Sequence, residues 1–203
     1  MTHTHRIASL LMVATSLTTG AIAQTQEASP RPTRGSSLYT ASSSYMGFNA
    51  GQTDFRLNSG TGLFPTDNRS TSYNLYAGSY FNNQNLGFEV GYTDFGKVNR
   101  GGGSTKADGI NLSLIGRAPL SRTFNLLGKI GTTYGRTETS SAAGSGVSSG
   151  TEVGFDWSYG VGAEYAFSPQ WSGVVQYDEH YLKYSGSGRD RISILALGVR
   201  YHY

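Results

Sequence analysis

From Tyr45 to Tyr203, bulky apolar and small polar residues alternate with a period of two, in eight stretches separated by turn-forming residues. The bulky series runs Met46, Phe48, Ala50; then Tyr73, Leu75, Ala77; then Leu86, Phe88, Val90, Tyr92; then Ile110, Leu112, Leu114. It continues with Phe124, Leu126, Ile130, Tyr134; with Trp157, Tyr159, Val161, Ala163, Tyr165; with Trp171, Val175, Tyr177; and with Leu195, Leu197, Val199, Tyr201, Tyr203. Strict alternation over a strand's length predicts β-strands and excludes helices, whose apolar residues recur every three or four positions. The intervening positions are mostly Gly, Ser, Thr and Asn, with Tyr76, Tyr80, Gln176, Asp178 and His202 and the charged Glu89, Arg117, Lys129, Glu164 and Arg200 among them.

The bulky face has to meet something apolar. An eight-stranded barrel has an interior only just wide enough for side chains. Glycines and a few paired charges fit there; a ring of Phe, Tyr, Trp and Leu does not. The apolar face therefore points outward, into lipid, which a closed barrel tolerates because every backbone group is paired. The aromatics gather at strand ends, with Phe81, Phe124, Phe167, Trp171 and Tyr203 towards one rim and Tyr73, Tyr92, Tyr134 and Trp157 towards the other. Short links at 82–85, 119–122 and 168–170 alternate with longer ones expected at about 56–71, 96–107, 137–151 and 184–190. The prediction is an all-β fold, an eight-stranded antiparallel up-and-down transmembrane β-barrel over residues 45–203. A soluble lipocalin-like barrel is the alternative that the outward apolar face argues against.

Composition sharpens the picture. The 203 residues include 28 Gly, 14 Tyr and no Cys, with only 14% Asp, Glu, Lys and Arg, against about 25% in soluble domains. No stretch of 18 apolar residues exists for a helical span. The formal charge of +3 is small and dispersed, which argues against nucleic acid. Without Cys, disulfides and thiolate metal sites are excluded. His3, His5 and Arg6, a short apolar run from Ile7, and Ala21-Ile-Ala23 predict a signal peptide over 1–23, cleaved between Ala23 and Gln24. Residues 24–44, rich in Ser, Thr and Pro, read as a flexible periplasmic arm.

Gly87-Phe-Glu-Val-Gly-Tyr92, Gly162-Ala-Glu-Tyr-Ala166 and Leu195-Ala-Leu-Gly-Val-Arg-Tyr-His-Tyr203 resemble the third, sixth and eighth strands of the outer membrane protein A membrane domain. The likeness spans most of 45–203. It implies a barrel with a polar, plugged lumen in the bacterial outer membrane, and its interior acids match Glu89 and Glu164. Where the family has a basic residue on the fourth strand, this chain has Ile115, with Arg117 two positions on. The family's basic residue on the seventh strand aligns with Val174. The peptidoglycan-binding domain that often follows is not expected, because the sequence stops at Tyr203.

Chemistry is sparse. Asp178, Glu179 and His180, with Ser185 and Ser187 nearby, offer the residue types of an acyl-transfer triad, but Leu182 stands where lipid deacylase barrels place the Ser. Gly144-Ser-Gly-Val-Ser-Ser-Gly150 has no Lys and opens no helix, so it is read as a loop and not a phosphate site. No cofactor or metal is expected. Glu89, Arg117, Lys129, Glu164 and Arg200 are expected to form an ion-pair network across the lumen. Tyr201 and Tyr203 are expected to serve as a C-terminal signal for the outer-membrane assembly machinery. Membrane lipids and lipopolysaccharide are the other expected partners, with both chain ends periplasmic and no partner named for the outer loops. Three functional classes remain: a structural or surface-interaction barrel with an occluded lumen, a narrow pore for small solutes, and a lipid-modifying enzyme.

Overall fold

A computed structural model describes residues 44–56, 68–81, 85–100, 103–141, 149–185 and 188–203. The expected signal peptide, the arm up to residue 43, the turn at Asn83, residues 142–148 of the loop around Gly144, and Ser187 lie outside the described residues. Eight antiparallel strands follow one another: β1 (Ser44–Phe55), β2 (Arg69–Tyr80), β3 (Leu86–Arg100), β4 (Gly103–Pro119), β5 (Phe124–Ser141), β6 (Gly150–Ala166), β7 (Trp171–Tyr184) and β8 (Gly188–His202). Each pairs with its neighbours in sequence, and β8 pairs back onto β1 to close the barrel.

Closure is staggered. A path of paired residues from Tyr45 crosses Gly78, Glu89, Ser113, Gly131, Ser158, His180 and Ile192, and returns to β1 at Phe55, ten residues on (55 − 45). Strands in such a barrel tilt by about 35–45°. The outer face carries the predicted bulky series, all of it solvent-accessible in the isolated chain: Leu75, Leu112, Trp157, Val161 and Leu197 each expose more than half their surface. At one end the connections are tight. Ser121 Oγ accepts from the amides of Thr123 (3.2 Å) and Phe124 (3.0 Å), and Ser168 Oγ accepts from the Trp171 amide (3.0 Å), so each hydroxyl closes its own turn.

The other end departs from the expected links. Residues 96–107 and 137–151 are mostly strand: β3 and β4 run to Arg100 and from Gly103, and β5 and β6 run to Ser141 and from Gly150. The 184–190 link shrinks likewise, since β7 reaches Tyr184 and β8 starts at Gly188. A membrane strand needs about 9–11 residues; β5 has 18, so its last turns of pleat lie beyond the hydrocarbon. There the polarity reverses. Phe55, Phe95, Val98, Ala107, Leu182, Tyr184 and Ile192 form a buried apolar cluster inside the barrel, while Lys97, Lys106, Arg136, Glu138 and Lys183 stand exposed outside. Outside the bilayer the strands follow the ordinary rule of apolar inside and charged outside.

Candidate functional site: the barrel lumen

Alternation dictates which side chains enter the lumen, and closure decides which of them meet. Glu89 on β3 lies at the centre: its carboxylate is 3.3 Å from Lys129 Nζ on β5 and 3.5 Å from the Arg200 guanidinium on β8, and it accepts a 2.8 Å hydrogen bond from the Tyr45 hydroxyl. Lys129 also reaches Asp178 on β7 at 3.2 Å. Arg200, fully buried, makes a second ion pair with Glu164 on β6 at 3.5 Å and lies 4.1 Å above the Tyr45 ring and 5.3 Å from that of Tyr76. Glu164 completes its shell with Asn125 Nδ2 (3.2 Å), Ser172 Oγ (2.7 Å) and His202 Nε2 (3.0 Å). Side-chain amides continue the network: Tyr76 donates to Asn49 Oδ1 (3.1 Å), and Asn49 Nδ2 donates to Gln176 Oε1 (2.5 Å). The two glutamates are thus both paired and hydrogen-bonded, as buried charges generally need to be, and Arg200 is held by its two ion pairs and the tyrosine rings.

Of the five residues expected in the network, Glu89, Lys129, Glu164 and Arg200 are thus brought together. Arg117 is placed apart, half-buried at the rim, with its guanidinium 4.4 Å above the Tyr80 ring. Ile115, one inward position deeper on β4, is fully buried and apolar, and so is Val174 on β7. Sequence reasoning missed Asp178 and His202 as partners. Both stand at inward positions of the alternation, but their pairing becomes visible only once distant strands are closed into a ring.

The alternation sets Tyr76 and Tyr80 on the inward series, and both are buried in the lumen with Tyr45, beside Ile115, although that face was expected to be tiny and Gly-rich. They fit because glycine stands opposite. Tyr45 pairs in register with Gly78, and Tyr76 with Gly47, and a methyl group on either glycine would overlap the facing ring. This pairing of Tyr with Gly across β1 and β2 is a signal the sequence carries.

Further along the barrel, Asn111 Nδ2 donates to Thr133 Oγ1 (2.9 Å) and Ser158 Oγ (2.6 Å), and Thr133 is hydrogen-bonded to His180 Nδ1 at 2.8 Å. The Phe95 ring meets the His180 imidazole edge-on at 5.0 Å. The candidate triad residues are separated. His180 faces the lumen and Asp178 is engaged by Lys129, whereas Glu179 points outward, held by the Tyr177 hydroxyl (2.8 Å), by Arg191 (3.0 Å) and by the Tyr159 hydroxyl. Among the described residues, no group of three or more His, Cys, Asp or Glu is arranged to hold a metal ion.

A closed eight-stranded barrel with a lipid-facing apolar exterior and a polar, packed interior is a small transmembrane β-barrel. Residues 10–203 match the family model of the outer membrane protein beta-barrel domain, and the chain belongs to that family, whose place is the bacterial outer membrane. No curated protein matches the sequence. Among solved structures, Neisserial surface protein A is similar at 19% identity and a TM-score of 0.62, over 80% of this chain and 98% of that one. Ail, the attachment invasion locus protein of Yersinia pestis, is similar at 19% identity and a TM-score of 0.54, over 81% and 100%. The N-terminal β-barrel domain of OprF from Pseudomonas aeruginosa is similar at 13% identity and a TM-score of 0.54, over 80% and 98%. At these identities the likeness shows the fold.

Proposed function

We propose that this protein is a non-enzymatic structural and surface-interaction barrel with an occluded lumen, inserted with both chain ends periplasmic and its long hairpins outside the cell. The observation that carries the reading is a pair of packed side-chain layers across the lumen. One layer is ionic and aromatic, built on Arg200, Glu89, Glu164 and Tyr45; the other, further along the same strands, is apolar, built on Phe55, Phe95, Leu182 and Ile192. An ion passing through would have to break buried pairs and then shed its water among hydrocarbon side chains, and hydrophobic constrictions of that kind close pores by dewetting. The proposed orientation is supported by the tight turns at one end and the protruding charged hairpins at the other, the arrangement of outer-membrane barrels. In this reading the chain is exported with cleavage after Ala23, and Tyr201 and Tyr203 engage the assembly machinery.

The deciding experiment is conductance of the refolded wild-type barrel in a planar bilayer. The expected result is no steady current. A large, steady, porin-sized current would replace this reading with that of a solute pore. Lipid analysis of a deletion strain tests the enzyme reading separately: altered acylation of lipopolysaccharide or phospholipid would favour it, and unchanged lipids are expected.

A further inference from the structure

Between β6 and β7 the ladder stops short. Their last paired rung is Ser158 with His180, yet β6 runs on to Gly150 and β7 to Tyr184. On the far sides the pairing continues: β6 stays with β5 up to Gly150 opposite Thr139, and β7 stays with β8 up to Tyr184 opposite Gly188. Over residues 150–157, β6 therefore has no strand on its β7 edge among the described residues. The outer ends of β7 and β8 lie instead beneath the inner face of β6, towards β5. The Thr137 hydroxyl of β5 donates to the Lys183 carbonyl at 2.6 Å, and Leu182 fills the space in front of Gly135.

The crossing is prepared in the sequence. The inward positions that the end of β7 passes on β5 and β6 are Gly135, Gly150 and Gly154. A methyl group would overlap Leu182 at Gly135 and the Ser185 hydroxyl at Gly150, and would press on the Lys183 stem at Gly154. Side chains take up main-chain groups at the break: besides Thr137, Asp156 Oδ1 accepts the Trp157 amide at 2.8 Å. The other carboxylate oxygen of the buried Asp156 pairs with Arg189 Nε of β8 at 2.5 Å, and so ties the folded end to β6. The base of that end is held from outside, where Glu179 is bound by Tyr159 of β6, Tyr177 of β7 and Arg191 of β8. Leu182, Tyr184 and Ile192 then supply the β7–β8 share of the apolar layer. Phe95 and, past the one-residue bulge at Gly96, Val98 supply that of β3.

We propose that the outer end of the β7–β8 hairpin is a flap hinged just beyond His180. Folded under, as here, it seals the outer mouth of the barrel. Swung out, residues 181–184 continue the ladder along β6, with Leu182 opposite Asp156 and Lys183 opposite Phe155, in the register that Ser158 and His180 set. The two positions exchange one set of interactions for another. The folded one buries Leu182 and Tyr184 and keeps the Asp156–Arg189 pair; the other restores main-chain hydrogen bonds along the open edge of β6. Packed elements with two discrete arrangements are what switching structures use. An open strand edge is otherwise a liability for aggregation, which the returning β7 removes. The movement stands on the geometry alone; its consequence for current rests on the proposed occluded lumen.

Two disulfides distinguish the positions in a chain with no native cysteine. Gly135→Cys/Leu182→Cys joins residues that touch in the folded position, and Phe155→Cys/Lys183→Cys joins residues that are register partners only in the swung-out one. Each pair is introduced into the full chain, refolded in lipid vesicles under reducing conditions and then oxidised, and the rate of disulfide formation is read on gels. Both bonds should form, 135–182 at once and 155–183 slowly. Arg189→Gln, which removes the latch at a half-exposed site outside the apolar layer, should speed 155–183 about fivefold, the upper range for a partly exposed ion pair. Gly135→Val, which evicts Leu182, should speed it further; Arg189→Gln carries the test if that variant does not refold. Absence of the 155–183 bond in both the wild-type and Arg189→Gln backgrounds would overturn the flap, and so would a rate that Arg189→Gln leaves unchanged. Absence of the 135–182 bond, with 155–183 forming at once, would mean a fully zipped barrel and overturn it equally. In planar bilayers, Glu89→Ala with the 155–183 bond closed should pass a current that reduction by dithiothreitol abolishes; no such current would overturn the flap as a seal. A steady wild-type current, by contrast, would overturn the occluded lumen and leave the disulfide result standing.

Discussion

Replacing Arg200 with Met separates the ionic layer from the packing around it. Methionine keeps much of the volume and can lie against the Tyr45 and Tyr76 rings, where its sulfur makes favourable contacts. What disappears is one cation that sits 3.5 Å from each of two carboxylates. At that distance and an effective dielectric constant of about 20, each attraction is worth about 4–5 kcal/mol before desolvation is subtracted. Breaking buried pairs by removing one partner typically costs about 3–5 kcal/mol. The two carboxylates do not suffer equally. Glu89 retains Lys129 and the Tyr45 hydroxyl, whereas Glu164 retains only the neutral donors Asn125 and Ser172 together with His202. Arg200→Met should therefore cost about 3–5 kcal/mol, and adding Glu164→Gln should recover about 2 kcal/mol by neutralising the stranded charge. Adding Glu89→Gln should recover less, because it also strips Lys129 of a partner. The measurement is equilibrium urea unfolding in lipid vesicles, followed by the fluorescence of Trp157 and Trp171, both on the lipid-facing surface. Additive costs for Arg200→Met and Glu164→Gln, within about 0.5 kcal/mol, would refute the coupling.

Three other outcomes are expected. Glu89→Ala or Glu164→Ala alone should lower stability while leaving steady current absent, and current should appear only when Phe95→Ala and Leu182→Ala are added; planar-bilayer recordings that show either glutamate variant open on its own would remove the apolar layer from the argument. Single cysteines at Glu138 and at Ser121, introduced into a chain that has no native cysteine, should label from outside intact cells at 138 and not at 121; the opposite pattern would invert the barrel. Gly78→Ala, which presses a methyl group against the Tyr45 ring, should cost about 1–3 kcal/mol in the urea assay, and Tyr45→Phe/Gly78→Ala should relieve part of it by removing the hydroxyl at the point of overlap.

The lipid-facing half of the fold was legible because a bilayer imposes a severe rule on it. A residue such as Leu112 or Val161 faces hydrocarbon and has to be bulky and apolar, and its neighbour has to face the lumen, so eight alternating runs mark eight strands. The hairpins beyond the bilayer escaped notice because no such rule acts there. On β5, Arg136, Glu138 and Ser140 point outward while Thr137 and Thr139 point inward, and this polar-against-polar alternation reads as loop. The lumen was legible in part for a related reason. Charges on the inward face of a narrow tube must find partners, which directs attention to Glu89, Lys129, Glu164 and Arg200. The identity of those partners depends on closure: Lys129 and Asp178 lie 49 residues apart, and no local pattern links them.

The reversal of polarity along the barrel explains how one sequence serves two solvents without a break between domains. Within the bilayer, outward apolar residues need no partner, so the lumen is where buried polar groups must find partners, and Glu89, Glu164 and the amides around Asn49 supply most of them, while Arg200 is held by its ion pairs and the tyrosine rings. Beyond the bilayer, water satisfies the outward charges, and the strands stay together only if the inside becomes a hydrophobic core. Phe55, Phe95, Leu182 and Ile192 form that core. The bulge at Gly96 sits at this crossing. By adding one residue it moves the phase of β3 so that Val98 enters the new core and Lys97 leaves it, which is the change of solvent written into a single strand. The same step that completes the apolar core beyond the bilayer thus also turns Lys97 out to solvent, so the packing inside the hairpins and the charge on their surface are set by one backbone feature.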